Sequence, residues 1–157
     1  MASRTSPDFK DPGRWIEAFF ASDHAEIVAI VDEASRRRGA AAAAVLDLFH
    51  RRLERHAAWE ESVLFPAAAR AAARRAQEPA ESMRREHREL RELIAVVRAG
   101  LDAGDEGAFV RRLADLRERL VRHNAAEEAA LYRLCDEAIP RGEIDAILRL
   151  LETSPKD

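Results

Sequence analysis

The chain of 157 residues contains a single cysteine, Cys135. One thiol excludes an internal disulfide framework and any zinc or iron–sulfur site built from several cysteines. Nowhere do about 18 apolar residues run together, as a membrane-spanning helix requires. Met1 to Pro12 is polar and lacks the apolar core of a secretory signal. The expected location is therefore cytoplasmic, without a membrane partner. Charge of one sign is missing as well. Charged residues make up 35% of the chain, both signs interleave, and the net charge is −3. Neither a basic stripe for nucleic acid nor an acidic tract for a cationic partner is present. No segment alternates apolar and polar residues with period two, which argues against a sheet.

What is present reads as helix throughout. The length suits one domain with a real core. Residues 1–11 are expected to form a flexible arm, 12–152 a helical bundle and 153–157 a flexible tail. Asp11-Pro12 offers an N-cap and a proline at the first helical position, so helix 1 is expected from about Pro12 to Arg38, closed by Gly39. Helix 2 starts in the alanine run Ala40 to Ala44 and continues to a kink or break at Pro66. Ala67 to Gln77 is a strong helix former by propensity. Glu78-Pro79 opens helix 3, which ends near Leu101 because Asp102-Ala103-Gly104-Asp105 carries turn chemistry. Helix 4 spans about Glu106 to Ala138, and a short amphipathic helix covers Glu143 to Glu152.

Two copies of one pattern stand in this frame, His56-Ala57-Ala58-Trp59-Glu60-Glu61 and His123-Asn124-Ala125-Ala126-Glu127-Glu128. Residues four apart lie one turn above each other on a helix, so each copy aims an imidazole and a carboxylate at one point. At about 100° per residue, Val45, Phe49, Leu53 and Val63 fall within about 60° of His56, and Glu60 joins that stripe. Phe109, Leu116, Leu120, Ala130 and Leu134 surround His123 in the same way, together with Glu127. His24 has Phe20, Ile27, Val28 and Val31 as companions; His87 has Met83, Leu90, Ile94 and Leu101. Four histidines and two glutamates from four helices therefore face the core. Glu61 and Glu128 point away and are assigned to supporting or surface positions, although a helix distorted at the site would let either replace its neighbour. His50 lies about 120° from His56 and is assigned to solvent. Trp59, Phe65 and Tyr132 are assigned to packing.

An ionised carboxylate buried without partners costs several kcal/mol, and two facing each other add repulsion. A cation removes both objections. Imidazole and carboxylate ligands suit iron, manganese or zinc. Bridging carboxylates in a bundle favour two metals, with iron the first choice.

The chain resembles the hemerythrin-like, or HHE cation-binding, family over roughly Trp15 to Leu151. The resemblance rests on Asp23-His24, His56-x3-Glu60-Glu61 before Leu64-Phe65-Pro66, Glu86-His87, and His123-x3-Glu127-Glu128 before Leu131-Tyr132. It implies an all-α, up-down-up-down four-helix bundle with a short C-terminal fifth helix, holding two iron ions. By that analogy His24 and His56 bind one iron, His87 and His123 the other, and Glu60 and Glu127 bridge. Oxygen carriers of the family place a fifth histidine where this chain has Met83, and usually an aspartate five residues after the fourth-helix histidine, where Glu127 stands at four. The pattern is closer to members that handle peroxide, nitric oxide or dioxygen reactively, or that sense iron or repair iron–sulfur clusters. Peroxidase-like or catalase-like turnover, iron storage or donation, and a metal-free interaction bundle are the competing expectations. The chain is expected as a monomer or homodimer.

Overall fold

The computed structural model describes residues 13–154; the expected arm at 1–11 and the end of the expected tail lie outside them. The described residues form helices α1 (Trp15–Ser35), α2 (Gly39–Trp59), α3 (Phe65–Ala72), α4 (Arg74–Asp102), α5 (Glu106–Ala126), α6 (Tyr132–Ala138) and α7 (Arg141–Thr153), with no strands among them. Two π-helical segments, Glu60–Leu64 and Glu127–Leu131, join α2 to α3 and α5 to α6. The bundle thus has four long rods: α1, α2 with α3, α4, and α5 with α6. Rod neighbours are α1 with α2, α2 with α4, α4 with α5, and α5 with α1. The short α7 packs against α1. No helix among the described residues is long and apolar enough to cross a membrane.

Several boundaries differ from the sequence expectation for identifiable reasons. Asp11 and Pro12 lie outside the described residues, and α1 begins at Trp15 without a cap from its own N-cap side chain. Its first amides donate instead to Asp136, from Ile16 N at 2.8 Å and Glu17 N at 3.1 Å. This contact ties the start of the first rod to the last. Helix α1 stops at Ser35, and Gly39, with φ +53°, opens α2 rather than closing α1. The second rod continues through Pro66 to Ala72 and reverses at Ala73, whose φ is +45°. Helix α4 then starts at Arg74, so Pro79 lies inside it rather than opening it. The alanine- and arginine-rich stretch before it has enough helix propensity to form a turn that proline only weakens. The expected turn at 102–105 is present, with φ +68° at Gly104, and Asp105 caps α5 by accepting from Ala108 N at 2.8 Å. Such a cap contributes about 1 kcal/mol.

The apolar core is divided. One cluster gathers Ile16, Phe20, Leu64, Phe65, Met83, Leu131, Tyr132, Cys135 and the inner face of α7. The other gathers Ile27, Val31, Leu46, Phe49, Leu53, Leu90, Ile94, Phe109, Leu116 and Leu120. Along every rod the passage from one cluster to the other is made by a histidine: Phe20 to His24 to Ile27, Leu53 to His56 to Leu64, Met83 to His87 to Leu90, and Leu120 to His123 to Leu131. A polar layer therefore crosses the bundle between two apolar plugs.

Candidate metal centre

All six side chains that helical phase turns inward meet in this layer. His24, His56, His87 and His123 are buried, and Glu60 and Glu127 are completely so. Each histidine has its Nδ1–H donated to a carboxylate of another rod. His56 donates to Asp23 at 2.8 Å, His87 to Glu61 at 2.7 Å, His123 to Glu86 at 3.1 Å and His24 to Glu128 at 2.8 Å. The pattern is a ring: each rod supplies the carboxylate that holds the histidine of the next rod. Fixing Nδ1 as the donor leaves every Nε2 lone pair facing inward, the tautomer a metal ligand needs. Arg55, Arg91 and Arg119 back the ring, lying 3.3 Å from Asp23, 3.9 Å from Glu61 and 3.8 Å from Glu86.

The inward nitrogens form two pairs. His24 Nε2 lies 3.1 Å from His56 Nε2, and the rings of His87 and His123 meet edge to face with centroids 5.0 Å apart. Glu127 stands between the pairs: its Oε2 is 3.2 Å from His24 Nε2 and 4.0 Å from His56 Nε2, while its Oε1 is 3.1 Å from His123 Nε2 and 3.6 Å from His87 Nε2. His24, His56 and Glu127 form one triad with metal-ligand spacing, and His87, His123 and Glu127 form a second. Glu60 adjoins both pairs through Oε2, which is 3.1 Å from His87 Nε2 and 3.5 Å from His56 Nε2.

Electrostatics point the same way. Burial alone would push the His56 and His87 imidazoles down; the crowding carboxylates overcome it and raise both to about 10. Burial likewise opposes ionisation of Glu127, yet the surrounding imidazoles of His123, His24, His56 and His87 hold it well below the usual carboxylate range. The layer is thus a sink for positive charge, which protons or cations must supply. Four of its buried atoms, Glu60 Oε2, His87 Nε2, His123 Nε2 and Glu127 Oε1, have no hydrogen-bond partner. Buried polar atoms are nearly always satisfied. A cation between these four would satisfy all of them at once, so the residues present fit a metal.

The π segments explain what helical phase missed. At about 100° per residue, Phe65 and Tyr132, each nine residues after a histidine of the repeated pattern, point about 180° away from it. Both are buried. In each π segment the amide of the residue that follows bonds back five positions, Phe65 N to Glu60 O and Tyr132 N to Glu127 O. The wider turn brings position i+5 over position i and rotates the following rod. Val63 is consequently only half-buried and Ala130, expected on the core stripe, is exposed, while Leu64 and Leu131 take their places. Such π-bulges cluster at functional sites. The distortion does not exchange the neighbouring glutamates: Glu60 and Glu127 stay inward, and Glu61 and Glu128 reach around to the histidine Nδ1 atoms. His50 is exposed beside Glu54, 3.6 Å away. Trp59 and Phe65 pack as expected, Phe65 lying parallel over His87 at 6.3 Å. Tyr132 does more than pack, since its hydroxyl donates to Glu60 Oε1 at 2.7 Å and lies 3.1 Å from Glu127 Oε2. The roles of Asp23 and Glu86 were also not assigned from sequence. The available signal was an acid directly before each unpaired histidine.

A helical bundle crossed by a buried layer of four imidazoles and two carboxylates, in which two triads share Glu127 and Glu60 adjoins both histidine pairs, defines a cation-binding bundle suited to two metals. The chain belongs to the hemerythrin HHE cation binding domain family, whose family model matches residues 16–135. Comparison with curated proteins and with solved structures gave no match.

Proposed function

We propose that this chain is a non-haem di-iron protein that binds or reduces small oxygen or nitrogen species such as peroxide, dioxygen or nitric oxide. The observation that carries the reading is the convergence of the four Nε2 atoms with both carboxylates of Glu60 and Glu127 in a layer sealed on either side by apolar side chains. His24 and His56 would hold one iron, His87 and His123 the other, and Glu60 and Glu127 would bridge them. Iron bound there supplies the electron transfer that no side chain of the layer offers. The chain's own part is orientation and exclusion of water. The ring of Asp23, Glu61, Glu86 and Glu128 holds each imidazole in one tautomer, and Phe20, Phe65 and Met83 close one side. Against a metal-free interaction bundle stand the four partnerless buried atoms, which a cation would satisfy together.

Met83 favours reactive handling over reversible carriage. It is buried one turn before His87 on α4, in the same cluster as Phe65 and Tyr132, and offers no nitrogen to the pair beside it. Met83→His tests this reading. The expected result is longer-lived reversible dioxygen uptake and slower peroxide consumption at unchanged iron content. Reversible dioxygen uptake by the unaltered protein, insensitive to this substitution, would contradict it.

A further inference from the structure

The repeated pattern ends differently in its two copies. Nine residues after His56 stands Phe65, and nine residues after His123 stands Tyr132, the chain's only tyrosine. The two occupy equivalent places after equivalent π segments, so at this place the two halves of the centre differ by one hydroxyl.

That hydroxyl lies on one side of the layer only. Tyr132 Oη is 3.2 Å from His24 Nε2, 3.5 Å from His56 Nε2, 2.7 Å from Glu60 Oε1 and 3.1 Å from Glu127 Oε2. The other four inward atoms, His87 Nε2, His123 Nε2, Glu60 Oε2 and Glu127 Oε1, are the ones without a hydrogen-bond partner. Ligand bonds of about 2.1 Å at right angles put neighbouring donor atoms about 3.0 Å apart. The four distances around Tyr132 Oη scatter about that value, the spacing of a fifth donor on the same shell. The ring is fully buried and held in register by Phe20, stacked on it at 5.0 Å, so the oxygen has little freedom to leave.

We infer that Tyr132 is a metal ligand of the His24/His56 position, which makes the two metals unequal: one closed by a phenolate oxygen, the other facing the bare ring of Phe65 and left to receive the small molecule. The inference rests on the di-metal reading above. On coordination the phenol O–H bond breaks, the oxygen electron pair goes to the cation and the proton is released to solvent, as with other protein ligands.

The test is the visible and resonance Raman spectrum of protein loaded with ferrous iron and oxidised in air, with iron counted on the same sample. A phenolate bound to ferric iron gives a charge-transfer band in the visible, and excitation within it enhances the phenolate ring modes. With a single tyrosine in the chain, such modes have one source. The expected result is their presence in the unaltered protein and complete loss in Tyr132→Phe, with iron still bound by the remaining ligands. Iron-loaded protein without phenolate modes would overturn the inference and leave the di-metal reading intact. A visible band unchanged in Tyr132→Phe would overturn it in the same way. Absence of bound iron would overturn both. If Tyr132→Phe does not fold, the spectrum of the unaltered protein still decides.

Discussion

Asp23, Glu61, Glu86 and Glu128 each hold a histidine of the next rod, whereas Glu60 and Glu127 offer their oxygens to the middle of the layer. Neighbours in sequence thus do different work, and the difference is measurable. Glu60→Ala and Glu127→Ala are expected to lose most bound metal. Glu61→Ala and Glu128→Ala are expected to keep two metals when metal is in excess but to bind about 10–100-fold more weakly, the usual effect of removing a carboxylate that orients a histidine ligand. Chelator competition on the four variants checks this, and equal losses in all four would mean that the outer carboxylates coordinate as well. At this scale the inward set of His24, His56, Glu60, His87, His123 and Glu127 was legible, because His24 and His87 lie on rods without a π segment, while His56, Glu60, His123 and Glu127 stand before or at the first residue of one, where regular helical phase still holds. Tyr132 was not, because it follows one. The pairing of Asp23 with His56 and of Glu86 with His123 was hidden for another reason: it joins different rods, and phase on one helix says nothing about its neighbour.

The elements were legible where apolar spacing runs unbroken and misplaced where the backbone departs from it. Pro66 was expected to mark a kink. Proline has no N–H to carry the π-type bonding further, so the widened segment ends at Leu64 and regular helix resumes. The real reversal falls at Ala73, inside a stretch whose composition favours unbroken helix. Its backbone, φ +45° and ψ −118°, is one that an alanine side chain opposes and glycine tolerates. Ala73→Gly is expected to relieve about 1 kcal/mol of strain and to raise Tm by about 2–4 °C in a chain of this size. A melting curve unchanged or shifted downward would contradict the strain. Helix α1 shows the opposite case, an end fixed by Asp136 from the far part of the chain, for which no local sequence signal exists.

The whole molecule is two apolar plugs separated by a charged layer, and this division makes the metals a stability question as well as a chemical one. Folded protein gathers the ligands and unfolded chain does not, so bound metal adds stability by mass action, about 2.7 kcal/mol at a free concentration 100 times Kd. Removing it with a chelator is expected to lower Tm by roughly 5–10 °C, read by thermal melting of treated and untreated protein; an unchanged Tm would argue that no metal sits in the layer. The all-α bundle was legible because its helical repeat persists through four rods, and the layer because in each rod a histidine falls in phase on that apolar repeat. The central claim, that this layer holds a pair of metals, is tested most directly by counting metal ions per folded chain after expression in iron-replete medium. The account predicts about two per chain, chiefly iron; a count near zero in protein that remains folded and helical would contradict it.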